Sequence, residues 1–148
     1  MDNLLKHVDI YITHTIKCML ADSAKYGYVL AYQKQDGEWK ELIGCNSINK
    51  RVTMNSIVLT AMEEALKRLK EAVELNIYID SPFIVNMFKS KAVDRWLSNG
   101  FLNAKGDKIV DFTKWESVLS LCERHMITVE YVQTHRYTDR LEDEMKKA

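Results

Sequence analysis

Proline appears once and glycine only five times along this chain, so no stretch has the composition of a flexible linker. Low-complexity segments and repeats at solenoid spacing are also missing, which leaves a single domain over residues 1–148 as the expectation. Charge of one sign is not in excess. Lys+Arg and Asp+Glu number 21 each, which excludes binding of a polyanion through global basic charge. Any phosphate-binding surface therefore has to be local. No run approaches the roughly 18 apolar residues of a membrane span, and the opening "MDNLLKHVDI" lacks the basic and apolar regions of a secretory leader. A cytoplasmic protein without membrane contact is expected. The cysteines, Cys18, Cys45 and Cys122, are odd in number and widely spaced, with no CxxC pair. That argues against a zinc site or a disulfide framework and for reduced thiols.

What the chain does have is a hydrophobic fraction of 47% in 148 residues, enough to bury a core in one compact unit. Val8, Ile10 and Ile12 alternate with Asp9, Tyr11 and Thr13, the period of a strand with one buried face. "YGYVLAYQ" at 26–33 reads as a second strand, and Asp36-Gly37 as the turn into a third near 38–46. From Thr53, an N-cap by residue type, the period lengthens. Ile57, Ala61, Ala65, Leu69 and Val73, flanked by Val58, Met62, Leu66 and Ala72, form a helical stripe. "LNIYID" at 75–80 is a fourth strand, and Ser81-Pro82 is a cap followed by proline at the first helical position. That helix should run through Phe83, Met87 and Phe88 towards Trp96. Another, near 111–124, carries Trp115, Val118, Leu119 and Cys122, and "ITVEYVQ" at 127–133 is a fifth strand. A last helix starts after Thr138-Asp139, where Asp139 and Glu142 have the spacing of a capping box, and Leu141 and Met145 would dock it on the sheet. Three strands followed by helix, strand, helices, strand and helix predict an α/β fold with a mixed sheet. Strands 1–3 form an antiparallel meander, and strands 4 and 5 run parallel through right-handed crossovers.

This order, with "NIYIDSPFIV", "GFLNAKGDKIVDFTKW" and "ITVEYVQTH" in sequence, resembles the ribonuclease H family from about Val8 to Met145. The matching features are a strand ending in Asp-Ser before a helix, a glycine-aromatic segment leading to a helix that begins near a tryptophan, and a last strand followed by a histidine. The resemblance implies a ribonuclease H-like fold, a five-stranded mixed sheet flanked by helices. It also implies cleavage of the RNA strand of RNA·DNA hybrids by two divalent metal ions held on four carboxylates. Two such cations about 4 Å apart repel strongly, and anionic oxygens offset that repulsion while leaving room for an attacking water.

Carried over position by position, Thr13 stands where the family reads Thr-Asp-Gly, and Asn55, after Met54, where it reads Met-Glu. Asp80 and Asp143 fill the third and fourth positions, and His135 matches the family's loop histidine, with a shorter stretch from there to Asp143. One carboxylate about 4 Å from a divalent ion contributes on the order of 8 kcal/mol of gross attraction at an effective dielectric near 20. Two neutral replacements therefore forfeit much of the affinity for paired metals. Neighbours cannot substitute: Asp9 is roughly 13 Å along a strand from Thr13, and Glu63 and Glu64 are roughly 12–14 Å along a helix from Asn55. The expected cofactor is none, or at most a single weakly bound Mg²⁺ or Mn²⁺ on Asp80 and Asp143.

The polar lead into the family's first helix is replaced by Arg51-Val52-Thr53, and the basic handle by Trp96 to Phe101, a stretch without positive charge. No glycine stands between Thr13 and Gly27, so the family's glycine-rich turn is gone and this stretch is free to form a different hairpin. Lys89, Lys91 and Arg95, with Lys105 and Lys108 nearby, are candidate nucleic-acid contacts, a solvated helix face being the plainer account. His14 reads either as a base or as a surface hydrogen-bonding group, and His125 as a helix-end residue favoured by the dipole. The leading expectation is a ribonuclease H-like domain that has lost or weakened hybrid cleavage and serves as a nucleic-acid or protein binding module. The other readings are a divergent metal-dependent endoribonuclease and an oligomeric structural subunit.

Overall fold

In the computed structural model, which describes residues 6–147, the opening alternation becomes β1 (Lys6–His14), with Val8, Ile10 and Ile12 buried. Residues 1–5, read above for a leader, and residue 148 lie outside the described residues. The chain continues through β2 (Leu20–Ala21), β3 (Ala24–Gln33), β4 (Trp39–Ile48) and β5 (Val52–Thr53) into α1 (Met54–Lys67). Thr53 caps α1 as its residue type suggested, its side chain accepting from the Ser56 N–H at 3.1 Å. Then follow β6 (Val73–Ile79), α2 (Pro82–Lys89), α3 (Ala92–Asn99), α4 (Phe112–Cys122), β7 (Met126–Tyr131) and α5 (Thr138–Lys147).

The main sheet has the order β4-β3-β1-β6-β7, antiparallel from β4 to β1 and parallel from β1 to β7. This is the five-stranded mixed sheet that the element order implied, with the meander first and the crossovers after it. The even-numbered face of β1 packs with Tyr26, Tyr28 and Leu30 of β3 under α1 and α4. On the other face α5 inserts Leu141 against Val29 and Ala31.

Four details differ from the sequence-based expectation. The helical stripe does not run on to Leu69 and Val73. The N–H groups of Arg68 and Leu69 close back on Ala65 and Leu66, which tightens the last turn, and Val73 already belongs to β6. The helix expected to reach Trp96 is two helices, α2 and α3. Lys91 between them sits at φ 67°, a conformation that no right-handed helix continues. Trp96 then meets Trp115 edge-on, with ring centroids 4.9 Å apart. The segment after β1 is tied down: β2 pairs with β5, and the Met54 N–H donates to the Met19 carbonyl at 2.9 Å. Finally, α5 begins at Thr138, so Asp139 sits inside the first turn instead of capping it, while the Thr138 side chain accepts from the His135 N–H at 2.8 Å.

Candidate functional site

Two parallel strands bring the critical residues to one end of the sheet. Tyr11 of β1 is in register with Tyr78 of β6, so Thr13 and Asp80, each two residues on, emerge side by side. The N-terminus of α1 brings Asn55 to the same end, and the cap of α2 brings Ser81. All the sequence-matched positions except Asp143 gather there, and each is held by a specific hydrogen bond.

Asp80 is engaged by His14, whose Nε2 lies 2.7 Å from Oδ1. The other ring nitrogen of His14 accepts the Ile16 N–H at 3.1 Å, so the proton resides on Nε2 and is donated to the carboxylate. The His14 side chain is only 1% exposed, against 29% for Asp80. This buried contact replaces the surface role expected for His14. Asn55 is engaged by Ser81, which donates to Asn55 Oδ1 at 2.7 Å and accepts from the Ile84 N–H at 3.2 Å. Ser81 is fully buried, so its hydroxyl needs both partners.

Thr13 is engaged by His135. The ring Nδ1 accepts from the Tyr137 N–H at 3.1 Å, leaving Nε2–H to reach Thr13 Oγ1 at 2.9 Å and the Ile12 carbonyl at 3.2 Å. Burial lowers the pKa of His135, opposed by the Ile12 carbonyl and by the Asp80 charge, and the net shift favours the neutral ring. The histidine that the resemblance placed on a loop is thus clamped to β1.

Asp143 is exposed and has no ion pair or hydrogen bond among the described residues. The adjacent Glu142 instead lines a cavity together with His14. Helix geometry explains the difference. At 3.6 residues per turn, Asp143 falls about 180° from the centre of the buried Leu141/Met145 stripe, whereas Glu142 flanks it at about 80°. That signal was present in the sequence, since Leu141 and Met145 define the stripe. The pairing of His14 with Asp80 was not, because it depends on the strand register.

These groups do not fit a paired-metal centre. Thr13 and Asn55 are neutral and internally bonded, and the Asp80 oxygen faces a donated proton. Among the described residues no three His, Cys, Asp or Glu side chains converge as metal ligands. The candidate nucleic-acid contacts are mixed. Lys89 is neutralised by Glu130 at 3.0 Å, whereas Lys91 and Arg95 have no ion-pair partner among the described residues. Arg95 lines a groove shared with Asn55 and the half-exposed Phe83. His125 is buried, and its Nδ1 accepts from the Val73 N–H at 3.1 Å. Desolvation lowers its pKa, so it is a neutral core group and not a dipole-favoured cation.

Fold and site together define an α/β protein of the ribonuclease H-like type. A family model described as RNase H matches residues 17–145. The chain is 30% identical over 150 residues to a Ribonuclease H of Acetivibrio thermocellus, with 97% of both chains covered. It is 33% identical over 99 residues to a Ribonuclease H of Chlorobium luteolum, covering 65% of this chain and 68% of that one. The chain therefore belongs to the ribonuclease H family. The solved structure of LC9-RNase H1, a type 1 RNase H with the type 2 active-site motif, superposes with a TM-score of 0.77 at 16% identity, over 97% of this chain and 72% of that one. A foamy viral protease-reverse transcriptase in complex with an RNA/DNA hybrid superposes at 0.66 and 18% identity, over 98% of this chain and 19% of that one. The family match begins at Lys17, so β1, with Thr13 and His14, stands outside it.

Proposed function

We propose that this domain binds nucleic acid, an RNA·DNA hybrid or a related duplex, without cleaving it efficiently. One observation carries the reading: the three carboxylate positions on β1, on α1 and just past β6 hold Thr13, Asn55 and an Asp80 already occupied by the His14 N–H. Of the acids on α5, Glu142 lines the cavity that His14 borders, while Asp143, the fourth position by resemblance, is exposed. Family membership supports hybrid as the ligand, as does the superposition on a reverse transcriptase bound to one. Lys91 and Arg95 supply unpaired positive charge on α3 and its lead-in.

The test is a labelled hybrid titrated with the protein, once with Mg²⁺ and once with a chelator. Equal affinity in both, with the RNA strand intact, is the expected result. Binding that requires the metal, accompanied by RNA cleavage, would favour the divergent metal-dependent nuclease.

A further inference from the structure

A cavity of about 690 Å³ opens between the end of β1, the start of β3, the end of β4 and the flank of α5. Its walls carry Lys17, Lys25 and Lys146 against one acid, Glu142. The chain as a whole has no net charge, so Lys17 and Lys146 against Glu142 already make a local excess of positive charge. The groove between α3, α4 and β7, about 640 Å³, is the opposite, with Lys89 facing Asp94, Glu116 and Glu123.

Lys17 and Lys146 have no ion-pair partner among the described residues. Lys25 is positioned by the Met145 carbonyl, to which its Nζ donates at 3.0 Å. Ser23, Ser47 and Asn49 add hydroxyl and amide groups to the same walls. His14 closes the inner side with both ring nitrogens already engaged, so it supplies a wall and no further hydrogen bond. Lysines act as point charges suited to phosphate, and hydroxyl and amide donors complete its oxygen shell. The volume falls in the ordinary range for a ligand pocket.

We infer that this cavity is a phosphate-binding pocket, with Lys17 and Lys146 as its charged anchors and Lys25 as a fixed donor. It abuts the His14–Asp80 pair, so a phosphate held there lies beside the sheet end where the family's chemistry takes place. That the phosphate belongs to a nucleic-acid backbone rests on the hybrid-binding reading above. The same chemistry would accept a small phosphorylated ligand.

The experiment compares the wild-type protein, Lys17→Gln/Lys146→Gln and a control, Lys34→Gln/Lys70→Gln, which removes the same charge at the other end of the sheet. A fluorescent RNA·DNA hybrid and inorganic pyrophosphate are the two probes. The pocket variant should weaken hybrid binding at least about tenfold near 50 mM salt and reduce the slope of log K against log[salt] by about two. The control should stay within about twofold of wild type. If the wild type binds hybrid and the pocket variant behaves like the control, the pocket is wrong and the hybrid reading stands. If hybrid does not bind but pyrophosphate does, dependent on Lys17 and Lys146, the pocket stands as a small-ligand site and the hybrid reading falls. Binding of neither probe overturns both. All four lysines are at the surface, so the substitutions leave the fold intact, and a circular dichroism spectrum verifies that.

Discussion

His14 and Asp80 meet across adjacent parallel strands at 2.7 Å, and the Ile16 N–H fixes the imidazole tautomer that makes the contact. A histidine N–H thus occupies one of the two oxygens, Oδ1, through which Asp80 could bind a cation. On the reading proposed above, carboxylates introduced at Thr13 and Asn55 do not alone suffice for tight metal binding. Thr13→Asp with Asn55→Glu should bind Mn²⁺ weakly, and adding His14→Gly, which gives the family's Asp-Gly, should tighten binding at least about tenfold, about 1.4 kcal/mol. Calorimetry measures both. Equal affinity with and without His14→Gly would show that the histidine does not obstruct the site.

The helix that carries Glu142 and Lys146 is anchored by Leu141, which is fully buried and packs against Val29, Ala31 and Gly27. Leu141→Ala should destabilise the protein by about 2–5 kcal/mol in urea unfolding. Leu141→Met keeps the volume and should cost less than about 1.5 kcal/mol. The contrast separates lost packing from a general intolerance of substitution.

Gly44 lies directly opposite Tyr28, and a Cβ there would fall 2.4 Å from the ring. Gly44→Ala should therefore destabilise by about 1–3 kcal/mol through overpacking. Gly106→Ala, in open space but at φ 86°, tests backbone strain alone in the same urea titration.

Stability should respond to pH through three histidines of opposite sign. Desolvation lowers the pKa of His7, but hydrogen bonds to Asp9 and Glu74 more than offset it, and the net shift is upward from 6.5. The stability it adds is present below the unfolded value and lost as pH rises through the folded one. Burial lowers His125 and His135, so their contribution is present above pH 6.5 and lost as pH falls through their folded values. Melting scans should show His7→Gln lagging wild type in acid, below pH 6.5, and converging with it as pH rises through the raised folded value. For His135→Asn the gap should be widest near neutral pH and narrow in acid. Parallel curves across the whole range would contradict both assignments.

The sheet was legible because β1 and β6 alternate, β3 is a continuous apolar and aromatic run, and the helix caps are chemically explicit. Ser81-Pro82 and Thr53 both perform as their residue types suggest. The break at Lys91 was hidden because a left-handed residue there carries no glycine or proline signal. In the site, Thr13 and Asn55 could be placed by position in the resemblance. The bonds that now satisfy them come from Ser81 and His135 on other elements, which only the strand register and the packing of α5 bring within reach. Asp143 follows from the resemblance, and the helical face of Leu141 and Met145 turns it to the exposed side of α5.

The most direct test of the central claim is single-turnover cleavage of an RNA·DNA hybrid at saturating protein in Mg²⁺ and in Mn²⁺, comparing wild type with Asp80→Asn. Wild type and Asp80→Asn should show the same background rate in either metal. Robust cleavage by the wild type that Asp80→Asn abolishes would contradict it, and would mean that His14 yields Asp80 to a catalytic metal.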